Sequence, residues 1–273
     1  MQRTFLAVTL AVCALPAFAQ QGRGGRGGQP AGPPPTPKAQ APIDMTGTWV
    51  SLITEDWVYR MTIPPKDAKG RANADSVPLT PAARTAADSW DPAKDEAAGT
   101  TCKAYGAAGL MRLPTRLQID WADDNTLRVQ TDAGTQTRLF HFTGDAAGPA
   151  SLQGYSKASW DGIGGRGRGQ GNGFPATFDP NAPAATVIRP GAMKVITTNL
   201  SGGYLRRNGL PYGDRTTVTE FYDVVHEPDG TQYLIVSTTV EDPVNLTGPF
   251  RTSTHFKKEA NNAKFKPQPC SVR

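Results

Sequence analysis

Alternation of apolar and polar residues is the feature of this sequence that most constrains its fold. In the run 115–121 every second residue is apolar, the chain turns at Asp123-Asp124-Asn125, and the alternation resumes at 127–131. A period of two places successive side chains on opposite faces of a strand, and Asp, Asn and Gly favour the turns between strands. The pattern therefore predicts a β-hairpin with one buried face.

Similar runs recur from residue 44 to the end of the chain. Segments rich in β-branched and aromatic residues, or alternating as above, predict strands at 46–53, 57–63, 115–121, 127–131, 135–142, 151–160, 192–199, 215–226, 232–241 and 249–257. One short helix is predicted at 82–89, where Thr80 can cap it and Pro81 suits its first position. This tally indicates an all-β domain over residues 44–273, a lipocalin-like closed or nearly closed antiparallel barrel, with a β-sandwich as the alternative.

The first nineteen residues predict the compartment. Arg3 precedes an apolar run at 5–15, and Ala17-Phe18-Ala19 is an A-x-A cleavage site. This arrangement is typical of a secretory signal peptide and is too short for a membrane span. Lipid attachment at Cys13 is disfavoured, because Val12 precedes it where a small residue is needed. We expect an exported protein, periplasmic or extracellular, with no membrane span.

Two cysteines remain once the signal peptide is removed. Cys102 and Cys270 form an even pair in an exported chain, which predicts one disulfide between an early segment and the C-terminus. The alternative is two unrelated thiols, but a free cysteine near the terminus is a liability in an oxidising compartment.

The basic charge of the chain lies mostly outside the predicted domain. The formal net charge is +5, but much of it belongs to the signal peptide, a Gly/Arg/Pro-rich segment at 20–43 and an Arg-Gly-rich insertion at about 162–190. These two segments cannot bury enough apolar surface to offset the entropy of ordering them, so we expect a disordered linker and a disordered loop. A nearly neutral domain argues against a nucleic-acid partner.

No motif in the sequence meets the requirements of a catalytic, cofactor or metal site. Gly162-x-Gly164-x-x-Gly167 matches a dinucleotide-binding pattern by its letters, but no helix follows it to receive a pyrophosphate. Gly154-Tyr155-Ser156-Lys157-Ala158 lacks the last glycine of a nucleophile elbow. A zinc site would need all three histidines, and one of these, His226, is at a turn. We expect no catalytic residue, no cofactor and no metal, and a non-enzymatic role is favoured.

Polar residues within predicted strands are the candidate anchors for a ligand. Glu220 shares a strand face with Val218 and Tyr222, which places an acid among apolar groups. Arg60 or Arg138 can pair with Glu220 or Asp56, and such pairs are usually structural. The same arginines can receive a carboxylate through their bidentate geometry.

The start of the domain resembles a known family. Gly47-Thr48-Trp49 resembles the G-x-W with which lipocalins open their barrel. A wider set of motifs is similar to exported, uncharacterised bacterial proteins of lipocalin-like shape: 45–50, Thr54-Glu55-Asp56-Trp57, Lys103-Ala104-Tyr105-Gly106, 134–138, Gly154-Tyr155-Ser156, Thr198 through Asn208-Gly209, Thr219-Glu220-Phe221 and Glu241-Asp242-Pro243. The resemblance covers most of the predicted mature chain. It implies export and a barrel, and it implies no catalytic residue.

Together these observations predict a barrel that binds a small apolar or amphipathic molecule. The expected apolar wall is Trp57, Tyr155, Tyr222 and Tyr233, and the expected polar anchors are Arg60, Arg138 and Glu220. One alternative is a barrel filled by its own side chains that binds an envelope protein. A second is an isomerase or hydrolase with an acid–base pair at the barrel mouth.

Overall fold

The computed structural model describes residues 33–161 and 192–272. The predicted signal peptide, residues 20–32 of the predicted linker and the Arg-Gly insertion lie outside the described residues. All secondary structure described here belongs to the unit Pro35–Arg273. Within the described residues, no helix is long and apolar enough to cross a membrane.

The described residues form an all-β domain, as the sequence predicts. Their strands are β1 (Gly47–Leu52), β2 (Arg116–Asp123), β3 (Thr126–Thr131), β4 (Thr137–His141), β5 (Tyr155–Trp160), β6 (Met193–Thr198), β7 (Gly203–Arg206), β8 (Leu210–Tyr212), β9 (Thr217–His226), β10 (Gln232–Glu241) and β11 (Phe250–Glu259). Nine strands close a barrel in the order β1-β11-β10-β9-β6-β5-β4-β3-β2, and β7 pairs with β8 in a separate hairpin. The closed barrel excludes the β-sandwich alternative.

The barrel is antiparallel except at one seam. β4 and β5 run parallel and pair only at Phe140↔Ser156 and His141↔Lys157. The cause is the connection at 142–154, which carries the chain back to the opposite end of the barrel before β5 begins, because parallel neighbours cannot be joined by a tight turn. On the outer face, the rings of His141 and Tyr155 stack across the seam with centroids 5.0 Å apart.

Side chains from the inner face of the barrel pack into one apolar cluster. Its members are buried and come from most of the strands, among them Trp49, Leu117, Ile119, Phe140, Met193, Tyr222, Leu234, Val236 and Phe256. Fully burying one such aliphatic or aromatic side chain contributes about 1.5–3 kcal/mol relative to leaving it exposed. The alternation predicted for 115–121 is therefore the inward face of β2, with Leu117 and Ile119 in the core.

The helices gather where β1 ends at Leu52 and β2 begins at Arg116, which we call the helical end of the barrel. They are α1 (Trp57–Met61), α2 (Pro81–Asp88), α3 (Pro92–Ala97) and α4 (Ala107–Leu110), with a 3₁₀ turn at Lys103–Tyr105. A second apolar cluster joins α2, α4 and the β7–β8 hairpin to inward residues of β9, β10 and β11. The predicted helix at 82–89 is α2, and Thr80 caps it by accepting a hydrogen bond of 3.3 Å from the Ala83 amide.

The prediction of a strand at 57–63 is wrong, because residues 57–61 form helix α1. Its aromatic and β-branched residues favour a strand locally, but strand propensity depends on a neighbouring strand to pair with. The chain has already left the barrel wall after Leu52 and crosses the helical end instead. Pro64 and Pro65 follow and supply no amide donors for a ladder.

The predicted linker and the domain meet earlier than residue 44. At the barrel end opposite the helices, the Trp160 indole donates a hydrogen bond of 2.8 Å to the carbonyl of Pro37, and the Lys38 amide donates to the Asp124 carbonyl at 3.2 Å. Ala41 and Ile43 pack against the core. The last part of the segment predicted as a linker is therefore a strap across that end of the barrel.

The predicted disulfide between Cys102 and Cys270 is confirmed. The bond joins the segment after α3 to the C-terminal tail. Beside it, the Ser271 amide donates a hydrogen bond of 3.1 Å to the Tyr105 hydroxyl. The tail is thereby held on the helical end of the barrel.

Candidate functional site

Two of the predicted anchors, Arg138 and Glu220, form an ion pair inside the barrel. Arg138 lies on β4 and Glu220 on β9, and the guanidinium donates hydrogen bonds of 2.9 and 2.6 Å to the two carboxylate oxygens. Both side chains are fully buried. Although burial opposes its charge, the Glu220 carboxylate raises the pKa of Arg138 above its ordinary value. The pairing of Arg138 with Glu220 is confirmed, and neither group is exposed to solvent.

The surroundings of this pair are protein side chains. Arg138 also donates a hydrogen bond of 3.1 Å to the Thr197 hydroxyl and a long one of 3.4 Å to the Tyr222 hydroxyl. Burial, and then the charge of Glu220, raises the pKa of Tyr222 well above its usual value. The Phe140 ring lies 4.8 Å from the Arg138 guanidinium carbon. This level of the barrel is occupied by the ion pair and the side chains around it, and the buried Arg138 Nε has no hydrogen-bond partner among the described residues.

The other predicted wall residues do not lie in the barrel interior. Tyr155 and Tyr233 are on the outer face, because Ser156 and Leu234 beside them point inward. Trp57 is on α1 and its side chain is 62% exposed. Of the predicted apolar wall, the structure places only Tyr222 inside the barrel.

Arg60 belongs to a different constellation, which we call the arginine cluster: Arg60, Arg112 and Arg206. Arg60 comes from α1, Arg112 follows α4, and Arg206 ends β7. Each of the three is at most 5% exposed. Three guanidinium groups from separate segments are therefore buried together beneath α1 at the helical end of the barrel.

Contacts among the three arginines show how they converge. The Arg60 Nε donates a hydrogen bond of 2.9 Å to the carbonyl of Arg112. The guanidinium carbons of Arg112 and Arg206 lie 5.7 and 5.8 Å from the centre of the Phe250 ring. Asp56, just before α1, pairs with Arg112 at 2.9 Å. The three guanidinium groups are thus close enough for their charges to act on one another.

Two of the arginines have carboxylate partners, and the third has no ion pair among the described residues. Arg60 pairs with Glu55, and Arg112 pairs with Asp56. Within the described part of the chain, Arg206 has no carboxylate at ion-pairing distance, and the hydroxyl of Ser76 accepts its single hydrogen bond, at 3.1 Å. Instead of a carboxylate, the Tyr59 ring lies 4.3 Å from its guanidinium carbon.

Four buried nitrogen atoms of the cluster have no hydrogen-bond partner among the described residues. They are Arg60 Nη2, Arg112 Nη1, Arg206 Nε and Arg206 Nη1. Burial and the neighbouring charge of Arg112 lower the pKa of Arg206 to about 10, so this group is still a cation at neutral pH. A buried donor left unpaired costs about 1–3 kcal/mol, and more when it is charged. These donors need partners from outside the described residues, and an anion is one partner that guanidinium groups bind well.

The β7–β8 hairpin positions Arg206. Asn208-Gly209 forms its turn, and Gly209 has φ +80°, a conformation that glycine adopts without strain. The Asn208 side chain donates a hydrogen bond of 2.7 Å to the carbonyl of Asn73. The Asn-Gly pair is a strong hairpin signal, so the sequence held a clue to this element. It held none to the burial of Arg206.

The arrangement suits anion recognition rather than acid–base chemistry. Guanidinium groups donate planar, paired hydrogen bonds to carboxylates and phosphates and do not lose their protons near neutral pH. Within the described residues, no three His, Cys, Asp or Glu side chains are grouped to hold a metal ion.

Comparisons with protein-family models, with curated proteins and with solved structures find no match to this chain.

Proposed function

We propose that this protein binds a small molecule through an anionic head group held by the arginine cluster. One observation carries the proposal: Arg206 is a 4% exposed cation with two buried nitrogen atoms that lack partners and no carboxylate at ion-pairing distance among the described residues. Natural structures rarely leave such donors unpaired, so a ligand oxyanion is the simplest partner for them.

The proposed ligand is still a small amphipathic molecule, as the sequence predicts, but its site is the arginine cluster and not the barrel interior. The barrel interior at the level of Arg138 and Glu220 is occupied by side chains, whereas the arginine cluster lies between the barrel and α1. Helix α1 has only five residues, and Asp56 at its start has φ 50°, a strained value for a residue other than glycine. A short element with a strained start is suited to move when a ligand binds.

Isothermal titration calorimetry tests the proposal. The purified mature chain is titrated with sodium hexanoate and with inorganic phosphate, beside Arg206→Gln. The matched control is Arg128→Gln, because Arg128 has the same charge but pairs with Asp120 on the outer face of the barrel. Losing a hydrogen bond to a charged group costs about 1.5–3 kcal/mol, so Arg206→Gln should weaken binding about 10- to 100-fold. Equal affinities of the wild-type protein and Arg206→Gln for these anions would contradict the proposal.

We further propose that the protein is exported and cleaved after Ala19, with a lipocalin-like role in the periplasm or outside the cell. The A-x-A site and the disulfide, which suits an oxidising compartment, support this. Intact-mass measurement of the protein from its native cells should give a chain that begins at Gln20. A full-length chain in the cytoplasm would contradict it.

Docking of an envelope protein on α1 is the second candidate. The outward face of α1 exposes Trp57 (62%), Val58 (38%) and Met61 (51%), and adjacent exposed apolar side chains are typical of interaction sites. Under this alternative, Trp57→Ser abolishes capture of one partner by cross-linking in cells. Under the ligand proposal, Trp57→Ser leaves hexanoate affinity within about twofold, since Trp57 points away from the cluster.

A further inference from the structure

A cleft opens on the surface beside the arginine cluster. It has a volume of about 530 Å³, and its lining is Met61, Thr62, Ile63, Trp90, Pro92, Arg207 and Val272. Five of these seven side chains are apolar, one carries a hydroxyl and one is a cation. Volumes of about 300–1,000 Å³ with mostly apolar walls and few polar groups are usual for sites of small ligands.

Two residues that line the cleft each follow a residue of the arginine cluster in the chain. Met61 lines the cleft and follows Arg60 of the cluster, and Arg207 lines the cleft and follows Arg206. Arg207 Nη2 donates a hydrogen bond of 3.1 Å to the Met61 carbonyl, which joins these two lining residues. The Arg207 Nε is buried and has no partner among the described residues. These contacts place the cleft beside the arginine cluster.

The charges beside the cleft indicate what the head group is. Glu55 and Asp56 already pair with Arg60 and Arg112, which leaves Arg206 as the cation without an ion pair in the described cluster. The charges of Asp56 and Asp75 also act on Arg206, so a head group with one negative charge matches this site better than one with two. A carboxylate supplies a single charge and two acceptor oxygens for a guanidinium, whereas a phosphate monoester carries close to two charges at neutral pH.

We propose that the ligand is a monocarboxylic acid with an apolar chain or ring, whose carboxylate binds Arg206 and whose apolar part lies in the cleft. This inference rests on the proposed function and specifies its ligand class. The carboxylate of the ligand binds the unpaired nitrogen atoms of Arg206. The hydrocarbon part of the ligand passes between the side chains of Arg206 and Arg207 and covers Met61, Ile63 and Trp90. Apolar surface on both sides is then removed from water.

A chain-length series tests the inference. Sodium hexanoate, octanoate and decanoate are titrated calorimetrically into the wild-type chain, with 1-octanol as the uncharged probe. Burying each CH₂ group should tighten binding about threefold to fourfold, and 1-octanol should bind at least about tenfold more weakly than octanoate.

Variants separate the head group from the chain. Arg206→Gln should weaken binding of all three acids by one common factor of about tenfold or more. Met61→Ser combined with Ile63→Ser should weaken decanoate about tenfold and leave hexanoate within about twofold. Both residues are at least partly exposed, so the fold should tolerate these changes. Leu139→Ser is the control, because Leu139 is an exposed apolar residue on the outer face of β4.

Each outcome decides between the two proposals. A rise in affinity with chain length that disappears only in the Met61/Ile63 variant supports the inference. Equal affinity for all three acids, with loss in Arg206→Gln, overturns the inference and leaves the proposed function standing. Absence of binding by every acid and by phosphate overturns both.

Discussion

Arg138 and Glu220 face each other inside the barrel and are joined by two hydrogen bonds, with both side chains withdrawn from solvent. Two charges buried in this way oppose folding unless each fully satisfies the other. Removing one partner leaves an isolated buried charge, whereas removing both leaves none. The pair therefore supports a prediction in which a double variant is less damaging than either single one.

Arg138→Met and Glu220→Leu should each lower the free energy of unfolding by about 3–5 kcal/mol, and the double variant should lower it by less than either. Urea denaturation followed by circular dichroism measures all four chains. A loss below about 1 kcal/mol in the single variants would mean that the pair is not buried as described.

The disulfide should contribute strongly to stability. It joins residues 168 positions apart, and in the chain-entropy model closing so long a loop restricts the unfolded state by about 4–5 kcal/mol. Cys102→Ser with Cys270→Ser should lose about this much in urea denaturation and keep its β-rich circular dichroism spectrum. Loss of that spectrum at 25 °C in buffer would show instead that barrel formation requires the bond.

Asp95 should make stability depend on pH. It accepts hydrogen bonds from Lys103 at 2.7 Å, Tyr204 at 2.8 Å and Trp90 at 2.9 Å. Burial alone would raise the pKa of this carboxyl, but these donors outweigh it and lower the pKa below the usual value. A carboxyl with a lowered folded-state pKa stabilises the fold above its unfolded-state pKa, and the effect is lost as pH falls through the folded-state pKa.

Asp95→Asn should therefore lower the free energy of unfolding by about 2–3 kcal/mol at pH 7. The difference in this free energy between variant and wild type should become smaller below about pH 4. Urea denaturation from pH 7 to pH 3 measures this difference. The other carboxylates do not contribute to it, because both proteins carry them. A difference that stays constant over this range would assign the effect to packing rather than to charge.

Gly209 should be irreplaceable in the hairpin that carries Arg206. A Cβ atom added there would lie 2.1 Å from Cγ of Trp90, and the residue has φ +80°. Gly209→Ala should cost about 2–4 kcal/mol and weaken hexanoate binding with it. Gly230→Ala is the control, because Gly230 has φ +85° and nothing within 4 Å of an added Cβ, so it should show backbone strain alone. Equal losses in stability for the two variants would contradict the contact with Trp90.

Period-two alternation, strand propensity and the number of strand-like runs together predict the barrel. Alternation with one buried face predicts β2 and β3, apolar residues on both faces predict β9 and β10, and the even number of cysteines predicts the pairing of Cys102 with Cys270. The prediction of a strand at 57–63 is wrong because propensity is local, whereas helix α1 forms where the chain crosses the barrel end and has no strand to pair with.

The site was harder to predict than the fold. The contact of Arg138 with Glu220 and Tyr222 could be predicted, because the three residues lie on strands in which alternation shows the inward face. Arg112 and Arg206 lie in or beside the segments that cover the helical end, and no periodicity shows which way such residues point. Their burial is decided by tertiary packing around Phe250 and Tyr59.

The most direct test of the arginine cluster is an NMR titration that follows the arginine Nε–H resonances while sodium hexanoate is added. Arg206→Gln assigns the Arg206 signal, and Arg128, on the outer face, serves as the internal reference. We predict that the Arg206 Nε–H resonance shifts in a saturable way while that of Arg128 stays constant. Saturable binding with an unmoved Arg206 resonance would place the ligand elsewhere and contradict the account.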